Sequence, residues 1–311
     1  MFSVLSNNKS LQFDPSTDIP SLQGKTLLIT GGTAGLGKQS VLEFARHQPQ
    51  QIWLTARNTR KAEATVAEIK KEVPNAPIKI LEMDLSSFAS IKKAAATVLA
   101  MSNRLDILML NAGTMFIPSG VTADGFEIQF GTNHMGHALL TRLLLPLLET
   151  TAQNPKSDVR IVCLASHGYV YLKNNGFEFE TLKTRGEQKG SLQCYYQSKL
   201  ANILWTREFA KRYPEFTVCS IHPGLVQTDL VEKTTGISWF LRCIARWMMV
   251  TSIEEGVKNQ LWASVSHGIQ SGEYYEPIGK AGVTTGDAKD DILAEELWEW
   301  TEKEIDIATK M

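Results

Sequence analysis

Tyr195 and Lys199 stand four residues apart in YYQSKLANIL, and Thr30 to Gly37 reads TGGTAGLG between an apolar run and an amphipathic one. On a helix, a YxxxK spacing places phenol and ammonium one turn apart on the same face, where the cation favours phenolate over phenol. A glycine-rich turn leading from a strand into a helix lets the backbone approach a phosphate. Either pattern alone also suits an ordinary exposed helix or a structural turn. Together, in this order, they predict an enzyme that binds a dinucleotide and moves a proton through a tyrosine.

Of its four glycines, those at positions 31, 35 and 37 make the segment TGxxxGxG rather than GxGxxG. The physical need is the same. Gly31 permits the tight turn, Gly35 lets backbone near a pyrophosphate, and Gly37 lets the following helix pack closely; Thr33 and Leu36 complete the candidate cofactor segment. About twenty residues on, Arg57 ends the next apolar run, where an NAD enzyme usually carries an acidic ribose ligand. A guanidinium there suits a 2′-phosphate, which favours NADP over NAD, although a strand-end arginine is also a common solvated residue. Asp84, followed by Leu85, suits either an adenine amino group or the N-cap of a helix beginning near Ser86.

Elements able to position these groups are legible along the chain. Apolar runs at 25–30, 51–56, 77–83, 105–111, 159–166 and 216–223 alternate with helical patterns, and 272–277 offers a further strand. That alternation predicts an α/β fold: a single-domain, Rossmann-type, doubly wound parallel sheet of about seven strands with helices on both faces. Residues 1–20 read as an arm and 21–311 as one domain, with longer irregular stretches at about 170–192 and 229–252. In the second stretch Trp239, Phe240, Leu241, Ile244, Trp247, Met248 and Met249 suit an apolar substrate lid, a helix packed on the core, or a helix resting on a membrane surface with Arg242 and Arg246 outward.

Composition narrows the class. The net charge of −1 gives no basic surface for nucleic acid, and no apolar stretch reaches the roughly 18 residues of a membrane span. Cys163, Cys194, Cys219 and Cys243 lack metal-ligand or CxxC spacing, and the first residues lack the pattern of a signal peptide, so a cytoplasmic setting without metal is expected. His134, His137, His167 and His222 fall in no recognised ligand pattern either.

With these residues in place, the chain beyond residue 20 resembles the short-chain dehydrogenase/reductase family. TGGTAGLG is similar to its cofactor turn, Asp84-Leu85 to its adenine contact, and Asn111-Ala112-Gly113 to the motif after its fourth strand. Asn133, Ser166, Tyr195 and Lys199 resemble its catalytic tetrad. HPGLVQTDL resembles its PG segment, which implies that Pro223, Gly224, Val226 and Thr228 meet the nicotinamide end. Within the family, NHMGHALLT and YYQSKLANIL are most similar to the retinol-dehydrogenase and WW-domain oxidoreductase-like branch, here without WW modules.

The resemblance implies interconversion of a ketone or aldehyde and an alcohol on a hydrophobic small molecule, such as a secondary metabolite, steroid or retinoid-like compound. Tyr195 would donate or accept the proton, Ser166 would hydrogen-bond the carbonyl oxygen, Lys199 would hold the nicotinamide ribose, and Asn133 would hold a relay water. Moving a tyrosine from its ordinary pKa about three units toward neutrality takes about 4 kcal/mol, expected from Lys199 and the oxidised nicotinamide. Two departures stand out: the interval from Ser166 to Tyr195 is long for the family, and position 165 is alanine where the branch often has a second serine. The family often forms dimers or tetramers. The alternative reading is a non-catalytic NADP-binding sensor.

Overall fold

The computed structural model describes residues 11–173, 176–226, 251–282 and 284–310. Seven parallel strands, β1 (Thr26–Ile29), β2 (Gln51–Ala56), β3 (Ile78–Glu82), β4 (Ile107–Leu110), β5 (Arg160–Leu164), β6 (Thr217–Ile221) and β7 (Tyr274–Tyr275), form one sheet in the order β3-β2-β1-β4-β5-β6-β7. Each expected run holds one of them, and the run at 272–277 contributes only two residues. Every residue of β1, β4 and β5 is buried, as strands covered on both faces require, whereas edge strand β3 alternates.

Among the described residues the helices are α1 (Pro15–Asp18), α2 (Gly35–Arg46), α3 (Thr59–Glu72), α4 (Phe88–Met101), α5 (Ile128–Phe130), α6 (Gly136–Ala152), α7 (Ser191–Arg212), α8 (Ile253–Gly256), α9 (Lys258–Val265) and α10 (Asp291–Lys310). One apolar cluster joins Leu27, Ile29, Leu54 and Met109 to residues of α2, α3 and α9. The other joins Leu28, Trp53, Leu110 and Cys163 to α4, α6, α7 and α10. Phe13, Ile19 and Leu22 belong to the first cluster, so the chain is docked on the domain well before residue 21. Strand order turns back between β1 and β4, which opens a crevice at their carboxyl ends. Among the described residues, no helix is long and apolar enough to cross a membrane.

At the opposite end, fully buried Asp106 fastens the two central strands. Its carboxylate accepts from the Thr26 amide at 2.9 Å and from Arg104 Nε at 2.8 Å and Nη2 at 2.5 Å. Asp106→Ala leaves a buried amide without an acceptor, and the expected loss is about 2–3 kcal/mol of unfolding free energy, measured by urea denaturation. A loss under about 1 kcal/mol would show that solvent replaces the carboxylate there.

Candidate active site

The crevice is built around the end of β1. Gly31 adopts φ +70°, a left-handed backbone that glycine takes without steric cost. A Cβ on Gly37 would overlap the Gly31 carbonyl and lie 2.5 Å from Asn111 Nδ2, so the first turn of α2 packs flat on the segment after β4. Ala34, the N-cap of α2, provides no side-chain acceptor, which leaves the first N–H groups of the helix available to an anion. Thr33 and Leu36 flank this opening, and exposed Arg57 follows β2 beside it. These features fit a dinucleotide.

Thr30 links the pieces. Its Oγ1 accepts from the Ala112 amide at 2.9 Å, its carbonyl accepts from Asn111 Nδ2 at 2.8 Å, and its hydroxyl lies 2.9 Å from His137 Nε2. His137 Nδ1 lies 3.0 Å from the Asn133 carbonyl, which only accepts, so Nδ1 carries the proton and Nε2 receives the Thr30 hydroxyl. Asn133 occupies a π-helical turn, Gly131–Met135, between α5 and α6. The amide of Asn133 is fully engaged: Oδ1 accepts from Thr114 N at 2.7 Å, and Nδ2 donates to Thr114 O at 3.0 Å and Ser198 Oγ at 2.9 Å.

Three of the expected residues converge at α7. Lys199 Nζ donates to the Leu164 carbonyl at 2.8 Å and lies 5.8 Å from the centre of the Tyr195 ring. Ser166, the second residue beyond β5, faces Tyr195 closely enough to lower its pKa as a donor, and its Oγ accepts from the Gly168 amide at 3.1 Å. The long interval after Ser166 holds two 3₁₀ turns, His167–Tyr171 and Phe179–Thr181, before α7 begins. Gly113 adjoins the group, since a Cβ there would stand 3.2 Å from Asn133 Oδ1 and 3.6 Å from Lys199 Nζ.

The electrostatics of the protein alone run opposite to the expected fall in the Tyr195 pKa. Burial pushes the phenol up to about 12, against a lowering by the Ser166 hydrogen bond, and burial brings the Lys199 ammonium down to about 8. Burial is the largest cause in both cases, because each group's charged form loses its hydration there. At pH 7 the pair is therefore neutral phenol and ammonium.

The remaining expected residues take varied places. Asp84 is not the N-cap of α4: Ser87 caps it, accepting from Ser90 N at 3.3 Å, and Asp84 Oδ1 accepts from Ser86 N at 2.9 Å and Ser86 Oγ at 2.7 Å. Leu85 is buried beside it, and its carbonyl lies so near Gly136 that an added Cβ would overlap it. Pro223 and Gly224 follow β6, and buried Val226 bridges to Thr251. Thr228 and residues 229–250 of the expected lid lie outside the described residues. Phe116 went unnoticed in the sequence: it takes φ +53°, its amide donates to Gln129 Oε1 at 2.9 Å, and its ring meets Tyr195 edge-on at 5.4 Å. A bulky residue in left-handed backbone marks local strain held by its surroundings, and no sequence pattern announces it.

Burial also holds His134 and His137 neutral, with pKa values brought down to about 3. Their unfolded values lie near 6.5, so between about pH 6.5 and 3 the unfolded chain binds protons that the fold refuses. This contribution is complete above pH 6.5 and is lost as the pH falls. The expected result is a urea midpoint that drops between pH 7 and 4.5, with a shallower drop in His134→Gln; equal slopes would show that His134 does not stay neutral.

A profile described as short chain dehydrogenase matches residues 25–171. An uncharacterized oxidoreductase of Schizosaccharomyces pombe is 35% identical, with 92% of this chain and 86% of the relative covered. Human retinol dehydrogenase 13 is 35% identical, over 89% of this chain and 83% of its own. Among solved structures, an uncharacterized protein from Mycobacterium paratuberculosis superposes with a TM-score of 0.73 at 28% identity, covering 94% of this chain and 97% of that one. With its sheet order, its glycine turn and the Ser166–Tyr195–Lys199 grouping, the chain belongs to the short-chain dehydrogenase/reductase family of oxidoreductases, on the branch that holds the retinol dehydrogenases.

Proposed function

We propose that the chain is an NADP-dependent oxidoreductase that interconverts an apolar ketone or aldehyde and its alcohol, with Tyr195 as proton donor and acceptor. The observation that carries this reading is the meeting of Ser166, Tyr195 and Lys199 beside an open helix N-terminus. NADPH bound along that crevice would supply hydride to the carbonyl carbon. Tyr195, neutral at pH 7, enters as the acid and passes its proton to the oxygen on which charge develops. Ser166 accepts from Gly168 N, so its single O–H, facing Tyr195, is a donor that the same oxygen would take on entering between them. Lys199, still mainly ammonium at pH 7, stabilises the phenolate that remains and is placed to hold the ribose hydroxyls.

Asn133 acts as a positioning residue in this scheme. Its amide is committed to Thr114 and Ser198, so a relay water would meet its main-chain carbonyl, which His137 already approaches. Arg57, exposed at the end of β2, supports a 2′-phosphate and hence NADP over NAD. Asp84 offers Oδ2 to an adenine amino group, with Asn111, Ala112 and Gly113 lining the crevice floor and Pro223 to Val226 its nicotinamide end. The name of the human relative, retinol dehydrogenase 13, speaks for an apolar substrate.

Tyr195→Phe removes the proton donor alone, and turnover of apolar ketones is expected to fall about 10²–10⁴-fold while NADPH binding, followed by fluorescence titration, stays within a few-fold. Turnover near that of the native protein would exclude Tyr195 as the acid. Arg57→Asp should reverse the ratio of NADPH to NADH affinity, because it places a carboxylate where the 2′-phosphate would lie. An unchanged ratio would remove Arg57 from cofactor selection.

A further inference from the structure

A second row of polar side chains crosses the carboxyl ends of β5, β6 and β7. The register pairs Cys163 with Ser220 and Ser220 with Tyr274. It persists past the strands, since Ala165 N donates to Ile221 O at 2.8 Å and His222 N donates to Tyr275 O at 2.9 Å. Two residues further on, Ala165, His222 and Glu276 therefore come side by side on the face turned toward α7, as Cys163 and Tyr274 do below them. This row borders Ser166, the residue after Ala165.

The row is only half satisfied. His167 Nδ1 lies 2.8 Å from Glu276 Oε1, and the Tyr274 hydroxyl donates to the same oxygen at 2.6 Å, which leaves Glu276 Oε2 outside both bonds. The His222 ring is 6.1 Å from that of His167, His222 is 9% exposed, and its Nδ1 is buried without a partner. Buried imidazole nitrogens ordinarily have partners. His167, His222 and Glu276 do not converge as metal ligands. A hydroxyl, in contrast, both donates to a carboxylate oxygen and accepts from an imidazole N–H, so it answers both groups at once. We propose that His222 and Glu276 form a subsite for a hydroxyl that the substrate carries on a carbon other than the reacting one. Ala165, beside them in the row, carries no polar atom to compete for that hydroxyl. This inference rests on the carbonyl-reductase reading above and narrows its substrate to hydroxylated apolar carbonyl compounds.

The test uses the full-length protein with NADPH and pairs of trans-decalones that differ by one ring hydroxyl, placed at each ring position in turn. For at least one position, kcat/KM should favour the hydroxylated member by about tenfold or more, since a site built for a hydroxyl rejects the analogue that lacks it. In Glu276→Gln and in His222→Asn that ratio should fall toward one. Ratios near one at every position in the native protein, or a ratio that survives both substitutions, would overturn the subsite. Calorimetric titration with matched decalin diols and mono-ols in the presence of NADP⁺ reads the same preference without turnover. A diol preference that Glu276→Gln abolishes, in a protein that reduces no ketone, would uphold the subsite and overturn the reductase reading; equal affinities would overturn the subsite.

Discussion

One carbonyl oxygen sets the geometry on which the candidate site depends. The Leu164 carbonyl, at the end of β5, accepts both Lys199 Nζ at 2.8 Å and Asn202 Nδ2 at 3.0 Å. Two donors three residues apart on α7 reach one fixed acceptor only if the helix has a single rotation and a single height above the sheet. That rotation turns Tyr195, one turn before Lys199, toward Ser166, the second residue beyond Leu164. A slip of one residue would move the phenol by about 100° around the helix axis and leave the ammonium buried without its acceptor. The cost of stranding a buried cation is what gives the arrangement its precision.

The same economy governs the cofactor side. Thr30 joins the end of β1 to the segment after β4 and, through His137, to the π-helical turn at Asn133. Asn133 then reaches Thr114 and Ser198, and so ties this network to α7. The glycine-turn crevice and the helix that carries Tyr195 and Lys199 are thus two ends of one hydrogen-bonded chain rather than two separate sites. Its histidine is neutral, with Nδ1 donating to the Asn133 carbonyl and Nε2 accepting the Thr30 hydroxyl; a protonated Nε2 could no longer accept, and that hydroxyl hydrogen would have to turn away.

Much of this was legible in the sequence, for identifiable reasons. Parallel strands buried on both faces appear as unbroken apolar runs, so TLLI, QIWLTA and RIVCL announce themselves. TGGTAGLG and YxxxK are local, their meaning set by residues within one turn of each other. What escaped is non-local. The sign of the Tyr195 shift depends on how deeply α7 is covered, which no spacing reveals. Asp84 looked like a helix cap because an acidic residue before a helix usually is one, yet Ser87 is closer to the first turn and takes the bond. The docking of Phe13 and Ile19 required knowing that α9 comes against α1 at that edge.

Phe116 and the row of Ala165, His222 and Glu276 show why the substrate side is the hardest to read. Cofactor chemistry repeats the same demands, so it selects recurring short patterns near strand ends. Substrate recognition in this sheet is assembled from three strands and the loops beyond them, and its parts are 57 and 54 residues apart, from Ala165 to His222 and from His222 to Glu276. Only the parallel register brings them into one row. A departure such as Ala165, unremarkable in isolation, gains meaning beside a buried imidazole nitrogen that has no partner. No hydroxyl at position 165 answers that nitrogen from within the protein, and the unpaired nitrogen gives a ligand hydroxyl a reason to bind there.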